Sequence, residues 1–205
     1  MKKIIAFTGS NNPDSINEKL TKYIIKEFPN RGIEFVDLKE YKLPIYSQEI
    51  EKRGIPNKAK ELFQLFTTAE GFILASPEHN GLPSAFLKNT IDWLSRIDQR
   101  FFGDKPILLI STSPGATGGS SHLEIMGNLV QRWGGQPVGR FSLGSFQQHF
   151  NENTGRLTNI QETYVLQKLV VALLTDQPVN MVDDSNDINE LMANITSQLK
   201  SKGFL

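Results

Sequence analysis

Short runs of continuously apolar residues, separated by helix-period patterns, constrain this chain more than any other feature. IIAFT at 4–8, FILA at 72–75 and ILLIST at 107–112, with a weaker IEFVDL at 33–38, read as strands buried on both faces, because apolar residues follow one another without alternation. Such strands need cover on both sides. Ile16, Leu20, Ile24 and Phe28 fall four apart and draw one apolar stripe, while Lys19, Lys22 and Lys26 take other faces. Residues 57–70 carry Leu62, Phe63, Leu65 and Phe66, with Asn57 after Pro56 as a candidate N-cap. Residues 84–97 and 122–133 read as two further helices, PVGRFSLGSF at 137–146 as a fifth, weaker strand, and 160–175 as a fifth helix. Strands alternating with helices imply right-handed βαβ units and a three-layer α/β sandwich around a five-stranded parallel sheet.

The 205 residues fit one domain. Residues 145–159 read as a polar loop, and residues 178–205 as a C-terminal extension packed on the outside, opening with acidic VDDSND before an amphipathic helix. Lys+Arg and Asp+Glu stand at 22 each, so overall charge does not mark the surface for nucleic acid or an anionic membrane. Any charged ligand must be held locally. The chain has no cysteine, which excludes disulfides, thiolate catalysis, Fe–S clusters and cysteine-containing zinc sites. The apolar run after Lys3 is too short for a signal core or a membrane span, and a soluble cytoplasmic protein is expected.

In an open parallel sheet, ligands sit beyond the carboxyl ends of the strands. The segments following the first, third and fourth strands are TGSNNPDSINEKL, SPEHNGLPS and STSPGATGGSS, all rich in Gly, Ser, Asn and Pro. That asymmetry places the site. The first loop ends in Ser15 at a helix start, where backbone N–H groups suit a phosphate. It lacks both GxGxxG and GxxxxGKS, so a single phosphate monoester is a better expectation than a dinucleotide or a nucleoside triphosphate. Ser15 could equally be a helix cap without a ligand. In the second loop Asn80-Gly81 is a turn pair and Ser84 sits at a helix N-cap. Glu78 and His79 are adjacent on that turn, so their side chains should diverge and a catalytic dyad is not expected. The third loop has three glycines between Gly115 and Gly119, which let a flat ligand approach the backbone.

Residues 76–95, SPEHNGLPSAFLKNTIDWLS, resemble the signature of the NADPH-dependent FMN reductase family, flavodoxin-like proteins that include quinone, azo-dye and chromate reductases. Pro77, Glu78, Asn80, Gly81, Pro83, Leu87, Lys88, Asn89, Ile91, Asp92 and Trp93 carry the likeness, which extends from Met1 to about residue 175. The resemblance implies a sheet of strand order 2-1-3-4-5 and bound FMN. Ser10, Ser15 and Asn17 match the family's phosphate loop; Pro77, Glu78, His79, Asn80 and Gly81 would run along the isoalloxazine; Ser113, Gly115 and Gly118 match the loop on its other side. Two positions depart. Asn12 stands where the family commonly has Arg, which removes a charge-assisted phosphate bond. His79 replaces a Tyr, stacking less area and titrating near neutral pH.

The activity implied is hydride transfer from NADPH or NADH to FMN, then reduction of a second small acceptor such as free flavin, a quinone, an azo compound or a metal oxyanion. No side-chain nucleophile and no metal are required. A flavodoxin-like electron carrier without NAD(P)H oxidation is the competing reading, disfavoured by the neutral charge, and a descendant that has lost FMN is a third. By resemblance a homodimer is expected, or a tetramer, with no nucleic acid or membrane partner. His122 and His149 lack partners at metal spacing and read as surface or capping histidines. Residues 151–155 lack the aspartates of a calcium loop. Phe101, Phe102 and Trp133 read as core or subunit contacts.

Overall fold

The computed structural model describes residues 1–176; the expected extension at 178–205 lies outside them. Nine strands follow in chain order: β1 Ile4–Thr8, β2 Ile33–Val36, β3 Gly71–Ala75, β4 Glu78–His79, β5 Leu82–Pro83, β6 Lys105–Thr112, β7 Gly135–Leu143, β8 Phe150–Asn151 and β9 Arg156–Leu157. The helices are α1 Ile16–Glu27, α2 Gln48–Lys52, α3 Asn57–Thr67, α4 Ala85–Ile97, α5 Ser120–Arg132, α6 Phe146–His149 and α7 Ile160–Thr175. Five strands form one parallel sheet in the order β2-β1-β3-β6-β7. Counting only these five, that is the expected 2-1-3-4-5 of a flavodoxin-like fold.

Alternation along each strand divides the core into two. Ile5, Phe7, Phe72, Leu74, Ile107 and Leu109 face α3, α4 and α5, whose Leu62, Phe66, Leu87, Ile91, Leu94, Leu123, Met126 and Val130 complete that layer. Ile4, Ala6, Ile73, Ala75, Leu108 and Ile110 face α1 and α7 through Leu20, Ile24, Leu166, Leu169, Val170 and Leu173. Central strands read as continuous apolar runs because both of their faces are covered. Phe101 and Phe102 are buried and join the aromatic cluster of Phe66 and Phe72.

Four local expectations need correction. The fifth sheet strand is present but spans Gly135–Leu143 rather than 137–146, and it is only partly buried because it closes one edge of the sheet. Pro137 is tolerated there, beside the register shift at Ile107/Leu108. Helix α3 starts at Asn57, but Pro56 holds the cap position and no side chain caps it. Residues 145–159 are not merely a loop. They form α6 and the β8–β9 hairpin, and Phe146 stacks on Phe150 with ring centroids 4.7 Å apart beneath α7. Last, His122 is not on the surface; it is fully buried on α5.

Candidate functional site

Three loops leave the carboxyl ends of β1, β3 and β6, adjacent strands of the sheet, and hydrogen bonds tie them together. Gly9 N–H donates to the Ala75 carbonyl at 2.8 Å, and the Ser84 hydroxyl donates to the Gly9 carbonyl, which links the first loop to the second. The Asn17 amide donates to the Thr112 carbonyl at 3.0 Å and its oxygen accepts from the Thr112 N–H at 3.0 Å, which links the first to the third.

The first loop brings several hydrogen-bonding groups to the start of α1. Ser15 caps α1, its Oγ accepting from the Glu18 N–H at 3.3 Å. Ser10 Oγ accepts from the Asn12 N–H at 3.2 Å, and Asn12 Oδ1 accepts from the Asp14 N–H at 3.0 Å. Each serine acts there as acceptor, so its own hydroxyl proton remains to be donated outward. The N–H groups of Ile16 and Asn17, in the first turn of α1, have no intrahelical acceptor, and the helix dipole favours negative charge beside them. Asn17 contributes only this backbone group, since its side chain is committed to Thr112. Asn12 is exposed and brings no cation.

The second loop is a hairpin. Glu78 pairs with Pro83 and His79 with Leu82, and Asn80 and Gly81 take φ of 54° and 78°. Two successive left-handed residues make the type I′ turn that Asn-Gly favours. Neighbours on a strand point to opposite faces, so Glu78 is half-buried while His79 is exposed. Ser84 then caps α4, its Oγ accepting from the Leu87 N–H at 3.0 Å.

The third loop is pinned at its base. Ser113 Oγ donates to the Gly115 carbonyl at 3.2 Å, and Ser145 N–H donates to the same carbonyl at 2.8 Å. Gly115 is exposed, but Gly118 and Gly119 are buried, with positive φ. A Cβ on Gly119 would lie 2.5 Å from Ser111 Oγ and 3.4 Å from Glu78 Oε2. The Glu78 carboxylate thus lies close to Gly119, at the N-terminus of α5.

Below that contact lies the group that sequence reasoning missed. His122 Nε2 is 2.7 Å from Ser76 Oγ, and burial, with the His79 ring as a second cause, lowers its pKa to about 4. Thr8 Oγ1, Ser111 Oγ and His122 Nδ1 are buried without an intramolecular hydrogen-bond partner. A second missed segment is 41–47, strapped to α4 where Trp93 Nε1 donates to the Pro44 carbonyl at 2.7 Å and Asn89 Oδ1 accepts from the Tyr46 N–H at 2.8 Å. Among the described residues, no three His, Asp or Glu side chains gather as a metal site, and no helix is long and apolar enough to cross a membrane.

Comparison with known proteins agrees with this geometry. The family described as NADPH-dependent FMN reductase matches residues 2–148. A 2-hydroxy-1,4-benzoquinone reductase of a Burkholderia species is 36% identical over 126 residues, 59% of this chain and 67% of the relative. An Arabidopsis thaliana NADPH:quinone oxidoreductase is 33% identical over 153 residues, 71% of this chain and 76% of the relative. The solved structure of the flavoenzyme NAD(P)H:(acceptor) oxidoreductase FerB from Paracoccus denitrificans superposes with a TM-score of 0.70 at 26% identity, covering 85% of this chain and 96% of that one. With the signature turn, the sheet order and a match spanning most of its length, the chain belongs to the NADPH-dependent FMN reductase family.

Proposed function

We propose that this chain, an FMN-dependent NAD(P)H oxidoreductase, reduces small quinone-type acceptors at the mouth formed by the three loops. The observation that carries this reading is the set of donors left over at one sheet edge: the Ser10 and Ser15 hydroxyls and the first-turn N–H groups of α1, beside an open hairpin backbone. They fit a phosphate monoester joined to a flat ring. In this arrangement Ser10, Asn12, Ser15 and the Asn17 N–H hold the phosphate, and Pro77, Glu78, His79, Asn80 and Gly81 flank the ring. Ser113, Gly115 and Gly118 shape its other border. When bound, FMN supplies the two-electron chemistry, accepting hydride from NAD(P)H and passing electrons to the acceptor.

The protein's part is orientation. Backbone N–H groups of the hairpin and the third loop offer hydrogen bonds to a ring edge that becomes more negative on reduction, with no side chain moving at that moment. Donor and acceptor use one open face in turn. Steady-state rates at several NADPH concentrations with a benzoquinone acceptor should therefore give parallel double-reciprocal lines; intersecting lines, or no quinone turnover by the FMN-loaded protein, would remove this reading.

The functional unit proposed is a homodimer. Ile45 and Leu82 are 83% and 55% exposed, on the strap and on the hairpin, and a second copy covering them would complete the rim of the mouth. Sedimentation should give twice the 23.0 kDa chain mass; a monomer at micromolar concentration would contradict it.

A further inference from the structure

Beneath the second loop lies a polar layer to which the flavin contacts assign no role. His122, in the first turn of α5, is fully buried, with Nε2 2.7 Å from Ser76 Oγ. Ser76 is where the hairpin departs from β3: its N–H donates to the Ile110 carbonyl at 2.8 Å, and Pro77 follows at once. The tie therefore grips the loop at its root.

His122 lies on the buried stripe of Leu123, Met126 and Val130, and its Nδ1 has no hydrogen-bond partner among the described residues, a cost that an apolar pair at positions 76 and 122 would not carry. The imidazole is held neutral by burial and by the nearby His79 ring, and the positive end of the α5 dipole acts in the same direction. Glu78, two residues beyond Ser76, lies with its carboxylate close to Gly119. The hairpin is thus held at its root by the Ser76–His122 contact.

We propose that His122 is a positioning residue of the flavin site, acting through Ser76 Oγ to set the direction in which the 76–83 hairpin leaves the sheet and so where its backbone meets the ring. The inference rests on the flavin reading above. It makes the hairpin's geometry depend on a side chain that touches neither flavin nor substrate.

The test uses flavin-free full-length protein as wild type, His122→Gln, His122→Leu, Ser76→Ala and the His122→Leu/Ser76→Ala pair. Glutamine can place a polar atom near the Nε2 position, and leucine cannot. Hydrogen exchange of the peptide covering 76–83 should quicken about tenfold in His122→Leu and in Ser76→Ala, the weight of one hydrogen bond, and FMN affinity should fall by about the same factor. The visible band of bound flavin should shift in both. His122→Gln should stay within about twofold of wild type, and the pair should be no worse than either single change by more than about twofold. If loop exchange, affinity and flavin spectrum match wild type while only the melting temperature falls, His122 is a core residue and the proposal is overturned. Should His122→Leu fail to fold, Ser76→Ala against His122→Gln decides: loss in the first with retention in the second supports the role, and equal values overturn it. Wild type that takes up no FMN contradicts the flavin reading, whereas loop exchange in the same samples still reports on the His122 tie.

Discussion

His122 shows how one residue converts a packing position into a pH-sensitive one. Its pKa is about 4 in the folded chain, against about 6.5 when unfolded. Between those values the unfolded chain takes up a proton that the folded chain refuses, so stability rises with pH across that window. The contribution is complete above pH 6.5, is lost as pH falls toward 4, and changes no further below; its full size is on the order of 3 kcal/mol. The stability of wild type relative to His122→Gln, taken from urea midpoints at pH 7, 5.5 and 4, should fall toward acid, because only the wild type carries this titration. Parallel curves would contradict the assignment. The residue was legible in part. It stands four before Met126, on the apolar stripe of α5, a spacing that argues burial. Its partner Ser76 lies 46 positions away, and no local pattern reveals such a pair.

Among the elements, the three loops were readable because backbone geometry leaves its mark in Gly, Asn, Pro and Ser. The Asn-Gly turn of the β4–β5 hairpin and the caps at Ser15 and Ser84 stand where composition put them. Asn17 illustrates the limit: its amide clips α1 to the end of β6 through Thr112, 95 positions away, a link no local pattern reveals. The strap at 41–47 was not readable at all. It has no period of its own and owes its place to Trp93 and Asn89 on α4. Residues 145–159 misled because Phe146 and Phe150 are spread through polar sequence, although their spacing of four carries the signal of a buried turn. The first loop yields a prediction of its own. Asn12 is exposed in an Asx turn beside the α1 N-terminus, so Asn12→Arg would add a charge-assisted bond to a phosphate there. FMN affinity, followed by quenching of its fluorescence, should rise about tenfold while riboflavin affinity stays the same. An equal change for both ligands would put the phosphate elsewhere.

For the molecule as a whole, the alternation of buried strands and helices gave the parallel sheet with crossovers of one hand, while its strand order came from the family likeness alone. Edge strands were the weaker part: β7 is buried at only three of its nine residues and so lacks the continuous apolar run that marks β1, β3 and β6. The chain carries no net charge bias, unlike a strongly acidic electron carrier. Function at this scale reduces to one claim, that the mouth holds FMN where NAD(P)H can reach it. An anaerobic titration of the FMN-reconstituted protein with NADPH, and separately with NADH, tests it most directly. The visible absorbance of the bound flavin should bleach with one equivalent of at least one of the two nucleotides and return on adding a quinone; flavin that stays bound and oxidised in the presence of both would contradict the account.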